Sequence, residues 1–277
     1  MDELVKDQDG QSLSNRVAIV TGGGRGLGRA MALGLAGAGC RVVITAARET
    51  REIEALAAEA GPDSIVALTA DVTREEDCAR VAQTALSTFG RLDILVNNAG
   101  RGMKYVSERF LTEPTRFWEV RPEVFRMVID TNVNGPFLMA RAAVEPMLRA
   151  GWGRIVNVSM NRETMRRAGF SPYGPSKAAL ESETVIWAQD LAGTGVTVNA
   201  LLPGGATATG MIPDGVPASL LATLLRPEVM VPPLLWLAST RSDSVTGKRL
   251  IANRWHGEGD AALGEAIGDA GWTPTTA

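Results

Sequence analysis

Val17-Ala18-Ile19-Val20-Thr21-Gly22-Gly23-Gly24-Arg25-Gly26-Leu27-Gly28 reads in two pieces, a short apolar run and a turn crowded with glycine. The run shows no polar alternation, as a strand covered on both faces requires. Glycine lets the chain turn sharply and lets backbone approach backbone. A helical pattern over 28–38 follows at once, and a second apolar run at 41–45 comes after it. Strand, turn, helix and strand in this order make a βαβ unit and predict a parallel sheet.

The same alternation continues outward. Apolar β-branched runs at 65–70, 92–97, 154–159, 196–201 and 249–252 alternate with helical patterns at 51–60, 74–89, 122–150, 176–191 and 228–238. No Pro/Gly linker divides the chain, and no internal repeat appears. The expected fold class is α/β: a single doubly wound parallel sheet, Rossmann-like, in three α/β/α layers. The expected organisation is a flexible polar segment at 1–14, one domain at 15–255 and a C-terminal tail at 256–277. Two connections are long, 101–121 and 204–227. The first carries Met103, Tyr105, Phe110, Phe117 and Trp118, and the second is rich in Gly, Pro, Thr and Leu. Both follow the C-terminal ends of strands, where open α/β sheets bind ligands, although a surface flap packed by its own aromatics has the same composition.

Composition excludes several functions. The net charge is −3 with no run of Lys or Arg, so the basic stripe that nucleic acid needs is missing. Residues 1–14 are polar, unlike a signal peptide, and no stretch has the length and apolarity of a membrane span. A cytoplasmic protein without nucleic-acid or membrane partners is expected. Cys40 and Cys78 are the only cysteines, which excludes a disulfide framework. The single histidine, His256, leaves a Ser-His-Asp triad or a multi-histidine metal site nearly without material, so no metal is expected. Acid–base chemistry then falls to a carboxylate, a lysine, or one of two tyrosines, Tyr105 and Tyr173.

Three motifs carry chemistry. In the first turn, Gly22, Gly26 and Gly28 let backbone amides reach a pyrophosphate at the positive end of the helix. Their spacing is not the common G-x-G-x-x-G, and tight turns also use glycine. The second motif, Asn97-Asn98-Ala99-Gly100, ends the fourth apolar run, where paired Asn side chains also satisfy local backbone groups. The third is Tyr173-Gly174-Pro175-Ser176-Lys177, with Ser171 as expected helix cap and Pro172 at the first helical position. Tyr173 and Lys177 stand one turn apart on one face. An ammonium beside a phenol lowers the phenol pKa, which suits a tyrosine acid–base catalyst. The same spacing also occurs on ordinary helix surfaces.

With these residues in order, the chain resembles the short-chain dehydrogenase/reductase family over roughly 15–252. The shared pattern is TGxxxGxG at 21–28, Asp71-Val72 after the third run, NNAG at 97–100, Asn132, YxxxK at 173–177 and Pro203-Gly204 after the sixth run. The resemblance implies a dinucleotide-binding catalytic domain that uses NAD(P)(H), assembled as a homotetramer or homodimer. It implies that Tyr173 exchanges the substrate proton, and that Lys177 holds the nicotinamide ribose and lowers the Tyr173 pKa. Asn132 would position a relay water. Gly22, Arg25, Gly26, Leu27, Gly28 and Gly100 would line the cofactor, with Asp71 and Val72 at adenine, Asn98 at ribose, and Ala206 and Thr207 near the nicotinamide amide.

An NAD enzyme places an acid at the end of the second strand. Here that end reads Thr45-Ala46-Ala47-Arg48, and Arg25 lies in the glycine turn. Two guanidinium groups unopposed by a carboxylate suit a 2′-phosphate, so NADP(H) is expected; the alternative is that both arginines simply face solvent. The family's usual serine column falls on Met160, with Ser159 one position early. Ser159, re-aimed through a bulge, is the expected replacement, and Asn161 is the other candidate. Met103, Met160, Asn161 and Met211 are expected to line a mainly apolar substrate pocket. The leading function is an NADP(H)-dependent oxidoreductase moving hydride to or from a hydrophobic ketone, imine or secondary alcohol. The alternatives are a cofactor-binding sensor or scaffold, and a non-redox enzyme such as a dehydratase.

Overall fold

The computed structural model describes residues 13–61, 63–257 and 259–271. Seven strands alternate with helices: β1 (Val17–Thr21), α1 (Gly26–Gly37), β2 (Arg41–Ala46), α2 (Thr50–Ala60), β3 (Ile65–Thr69), α3 (Glu75–Phe89), β4 (Ile94–Asn97), α4 (Pro122–Ile129), α5 (Gly135–Ala150), β5 (Gly153–Val158), α6 (Arg162–Met165), α7 (Tyr173–Asp190), β6 (Val196–Leu202), α8 (Ala218–Leu221), α9 (Val231–Ala238) and β7 (Lys248–Ile251). An eighth, β8 (Ile267–Asp269), closes one edge. The order is β3-β2-β1-β4-β5-β6-β7-β8, parallel throughout except for the antiparallel β7–β8 pair.

The unbroken apolar runs have a direct cause in packing. Ala18, Val20, Val42, Ile44, Ile94 and Val96 face one buried cluster, shared with α1 and α9. The alternate residues Val17, Ile19, Val43 and Leu95 face another, shared with α3 and α5. With both faces covered, the central strands β1, β4, β5 and β6 are buried at every position and period-two patterning disappears. Strand order reverses between β1 and β4, so a crevice opens beyond their carboxyl ends.

Three boundaries differ from expectation. The pattern at 122–150 is two helices, because Asp130–Asn134 forms a single π turn between α4 and α5. Periodicity over a long apolar stretch does not register one inserted residue. The segment from 256 onward, expected as a tail, supplies β8, and Trp236 Nε1 donates to Asp260 Oδ1 at 2.7 Å. Its three-residue strand is too short for a pattern to show. Residues 272–277 lie outside the described residues, as do 1–12 of the expected N-terminal segment. Leu13 is buried, and its amide donates to Ala38 O at 3.0 Å. No helix among the described residues is long and apolar enough to cross a membrane.

Candidate active site

The turn after β1 is built so that only glycine fits. Gly22 and Gly26 have φ of +62° and +53°. A Cβ on Gly28 would stand 2.1 Å from Gly22 O and 2.5 Å from Asn98 Nδ2. Asn98 locks this turn to the end of β4. Its side-chain amide donates to Thr21 O at 2.8 Å and Gly22 O at 3.0 Å. The backbone amides of Asn98 and Ala99 both donate to Thr21 Oγ1 at 3.0 Å. Asn98 therefore spends its donors on the turn and ties it to the end of β4. The first turn of α1 has no acidic residue and no side-chain cap. Its amides and helix dipole remain available to an anion, which fits a dinucleotide pyrophosphate.

Adenosine-side candidates gather at the ends of β2 and β3. Asp71 accepts bonds from Thr73 N and Oγ1 at 3.0 and 2.8 Å, which fix the chain there. Val72 is buried against Gly135, whose Cβ would lie 2.8 Å from Val72 Cγ2. Arg48 is exposed and lines a cleft of about 380 Å³ with Asp71, Thr73 and Arg101. For Arg25 the expectation of an unopposed guanidinium is corrected. Glu52, in the first turn of α2, pairs with it at 3.3 Å. The acid enters from the next helix, where reading the strand end alone does not find it.

The reacting end is organised by α7. This helix begins at Tyr173 with Pro172 before it, and no side chain caps it, so the expected Ser171 cap is absent. Gly174 lets α7 pack on the end of α6, since a Cβ there would stand 2.1 Å from Met165 O. Lys177 is buried and its Nζ donates to Val158 O at 2.7 Å. The π turn brings Asn132 to the same place. Asn132 Oδ1 accepts from Arg101 N at 2.8 Å, and Nδ2 donates to Arg101 O at 3.0 Å and Ser176 Oγ at 2.9 Å. The position of a Gly100 Cβ would be 3.3 Å from Asn132 Oδ1 and 3.8 Å from Lys177 Nζ. Gly100, Asn132 and Lys177 thus converge, although they are far apart in the chain.

Tyr173 lies against an apolar cluster of Met103, Phe110 and Phe170, with Met160, Val106 and Leu111 beside it. Burial pushes its phenol up to about 12 and the Lys177 ammonium down to about 8. The expected lowering of the phenol by its neighbour is therefore reversed in this cofactor-free chain. Loss of water around the phenolate is the cause, and burial weakens the lysine charge as well.

The bulge expected to re-aim Ser159 into the serine column is corrected. Ser159 N donates to Leu201 O at 2.9 Å, so the β5–β6 ladder runs on past Val158 without a bulge. Its hydroxyl donates to buried Glu181 Oε1 at 2.8 Å. Asn161 Nδ2 donates to Gly204 O at 3.0 Å. The Ser159 proton is thus committed to a scaffold acceptor, while the Asn161 amide commits one of its two N–H groups. A serine one residue from the expected column looks available until its partner is known.

The connection at 204–227 reaches back over the site. Thr207 bridges to Leu225, while Ala206 O accepts Leu225 N at 2.8 Å. Thr207 is buried and Ala206 exposed. A Gly26 Cβ would meet Thr209 Cγ2 at 3.1 Å, and a Gly102 Cβ would meet Met211 Sδ at 3.2 Å. Met211 is partly exposed there, whereas Met103 is fully buried. Leu27 packs partly buried on the α1 side of the sheet. Several participants escaped sequence reading. Among them are the buried chain Asn97–Asn157–Thr184, with both amide bonds at 2.9 Å, and Glu181, whose only signal is its place one turn beyond Lys177 on the buried helix face.

A glycine-lined turn at a sheet reversal, with a Tyr/Lys pair on the facing helix, defines a dinucleotide-dependent oxidoreductase site. The family model of short chain dehydrogenases matches residues 16–216, and the chain belongs to that family. It is 36% identical over 195 residues to a 3-oxoacyl-[acyl-carrier-protein] reductase of Synechocystis sp., covering 70% of this chain and 75% of that one. It is 32% identical to the acetoacetyl-CoA reductase of Shinella zoogloeoides, covering 86% and 97%. The 3-ketoacyl-(acyl-carrier-protein) reductase of Brucella melitensis, solved in complex with NADH, superposes with a TM-score of 0.74 at 32% identity, covering 85% and 95%.

Proposed function

We propose that this chain is an NADP(H)-dependent reductase of a ketone flanked by an apolar group, or the matching secondary-alcohol dehydrogenase. The observation that carries the reading is the convergence of Gly100, Asn132 and buried Lys177 one turn from Tyr173. When bound, the cofactor supplies or takes the hydride. Amides at the start of α1 would hold the pyrophosphate, and Lys177 the nicotinamide ribose. Tyr173 gives its phenolic proton to the substrate oxygen as hydride arrives, and a phenol at about 12 is still acidic enough to protonate an alkoxide. Asn132, held by Arg101 and Ser176, fixes the π turn beside Lys177 through which a water returns that proton. Met103, Phe110 and Met160 exclude water and favour an apolar substituent next to the carbonyl.

Arg25 and Arg48 support the choice of NADP(H), although Arg25 must leave Glu52 to reach a 2′-phosphate. The named activities of the relatives make 3-oxoacyl compounds the first substrates to try. Exposed Phe137 on α5 and Ile186 on α7 support a homotetramer or homodimer. The test is NADPH absorbance with ethyl acetoacetate and acetoacetyl-CoA, for the parent and Tyr173→Phe. Loss of about two to four orders of magnitude in rate with NADPH affinity retained supports the assignment. Retained rate in the variant overturns it. NADPH binding with no turnover across a broad panel of carbonyls and imines favours the sensor reading.

A further inference from the structure

Glu181 is 2% exposed and stands on the α7 face that carries Tyr173 and Lys177, at successive intervals of four residues. Its Oε1 accepts Ser159 Oγ at 2.8 Å and Arg249 Nε at 3.2 Å. Arg162 Nε lies 4.0 Å from Oε2. The two arginines are bridges rather than simple partners. Arg249, 7% exposed on β7, extends its second arm to Met160 O at 3.0 Å. Arg162 donates to Asp269 O and Gly271 O, both at 2.6 Å. One buried carboxylate therefore gathers α7, the chain just beyond β5, β7 and the C-terminal strand β8.

Such a cluster is a poor source of stability, because removing its charges from water costs about as much as their attraction returns. What it does is fix geometry. Met160 occupies the column beside Tyr173 where a hydroxyl would share the oxyanion, and its carbonyl is pinned by Arg249. Pinning the backbone sets where the Met160 side chain points and how closely the pocket wall approaches the phenol. A shift of about 1 Å in such a wall is enough to slow a reaction substantially.

We propose that Glu181 and Arg249 are positioning residues of the active site, holding the Met160 backbone in register with Tyr173, and that the C-terminal strand belongs to this frame through Arg162. The inference rests on Tyr173 and Lys177 being the reacting pair. Arg249→Lys keeps a cation opposite Glu181 but loses the second arm to Met160 O. In the full chain, with NADPH and the probes ethyl acetoacetate and acetoacetyl-CoA, kcat should fall about tenfold, while NADPH affinity measured by fluorescence stays within about twofold. Amide hydrogen exchange across 159–162 should rise in the cofactor-free variant, with the β1–α1 turn unchanged. Glu181→Gln should act in the same direction and more strongly. If Glu181→Gln does not fold, Arg249→Lys carries the test. Lowered melting temperature with unchanged kcat and unchanged exchange at 159–162 in Arg249→Lys overturns the positioning role. Tyr173→Phe, measured in parallel, separates the two failures: a retained rate there overturns the reacting pair itself.

Discussion

Lys177 should leave a pH signature in the stability of the cofactor-free chain. Burial lowers its pKa from 10.5 to about 8. In the unfolded chain it titrates near about 10.4. Below the folded value both states hold the proton, and the folded state bears the full cost of the buried charge. Between the two values the unfolded chain binds the proton and the folded chain releases it, so stability rises with pH. The difference is about 2.5 in pKa, or roughly 3 kcal/mol at 1.36 kcal/mol per unit. The bond from Lys177 Nζ to Val158 O favours the charged form and offsets part of this, leaving about 2 kcal/mol. Tyr173, raised to about 12, works the other way above its unfolded value of about 10, because the fold then retains a proton that the unfolded chain gives up. The gain should therefore peak close to about pH 10. Urea midpoints of the parent and of Lys177→Met, compared from about pH 7 to about pH 10, isolate the contribution of this one group. The difference in stability should move in favour of the parent by about 2 kcal/mol across that range. A flat difference would mean that the ammonium keeps its ordinary pKa and that the burial argument is wrong.

The other expectations concern the cofactor and the serine column. Arg25→Ala with Arg48→Ala should cut the preference for NADPH over NADH about tenfold or more, and Glu52→Gln should sharpen it; equal affinities in the parent would refute the 2′-phosphate reading. Gly28→Ala should abolish detectable NADPH binding in a fluorescence titration, since its Cβ would stand 2.1 Å from Gly22 O. Parent-like affinity would mean that the pyrophosphate sits elsewhere. Ser159→Ala should cost about 1–3 kcal/mol of stability through Glu181, while Met160→Ser should speed reduction of ethyl acetoacetate by adding a donor beside Tyr173. A rate loss in Ser159→Ala as deep as that of Tyr173→Phe would restore Ser159 as the oxyanion donor.

The sequence by itself determined the sheet, because a strand buried on both faces is largely apolar, and the runs at β1, β2 and β4 are nearly continuous in Val, Ile and Leu. It also determined the glycine turn and the Tyr173/Lys177 pair, since each is a local arrangement of neighbours within a few residues. What it left open were contacts between distant segments. Ser159, Asn161 and Arg25 carry suitable donors, but their use depends on Glu181, Gly204 and Glu52, which only folding brings near. The pKa of Tyr173 is another such case. Its nearest charged neighbour along the helix favours the phenolate, yet the apolar wall supplied by Met103, Phe110 and Phe170 decides the outcome. The short strand β8 and the π turn at Asn132 likewise needed tertiary structure: the first exists because β7 offers it an edge, and the second because Arg101 and Ser176 hold Asn132 in place.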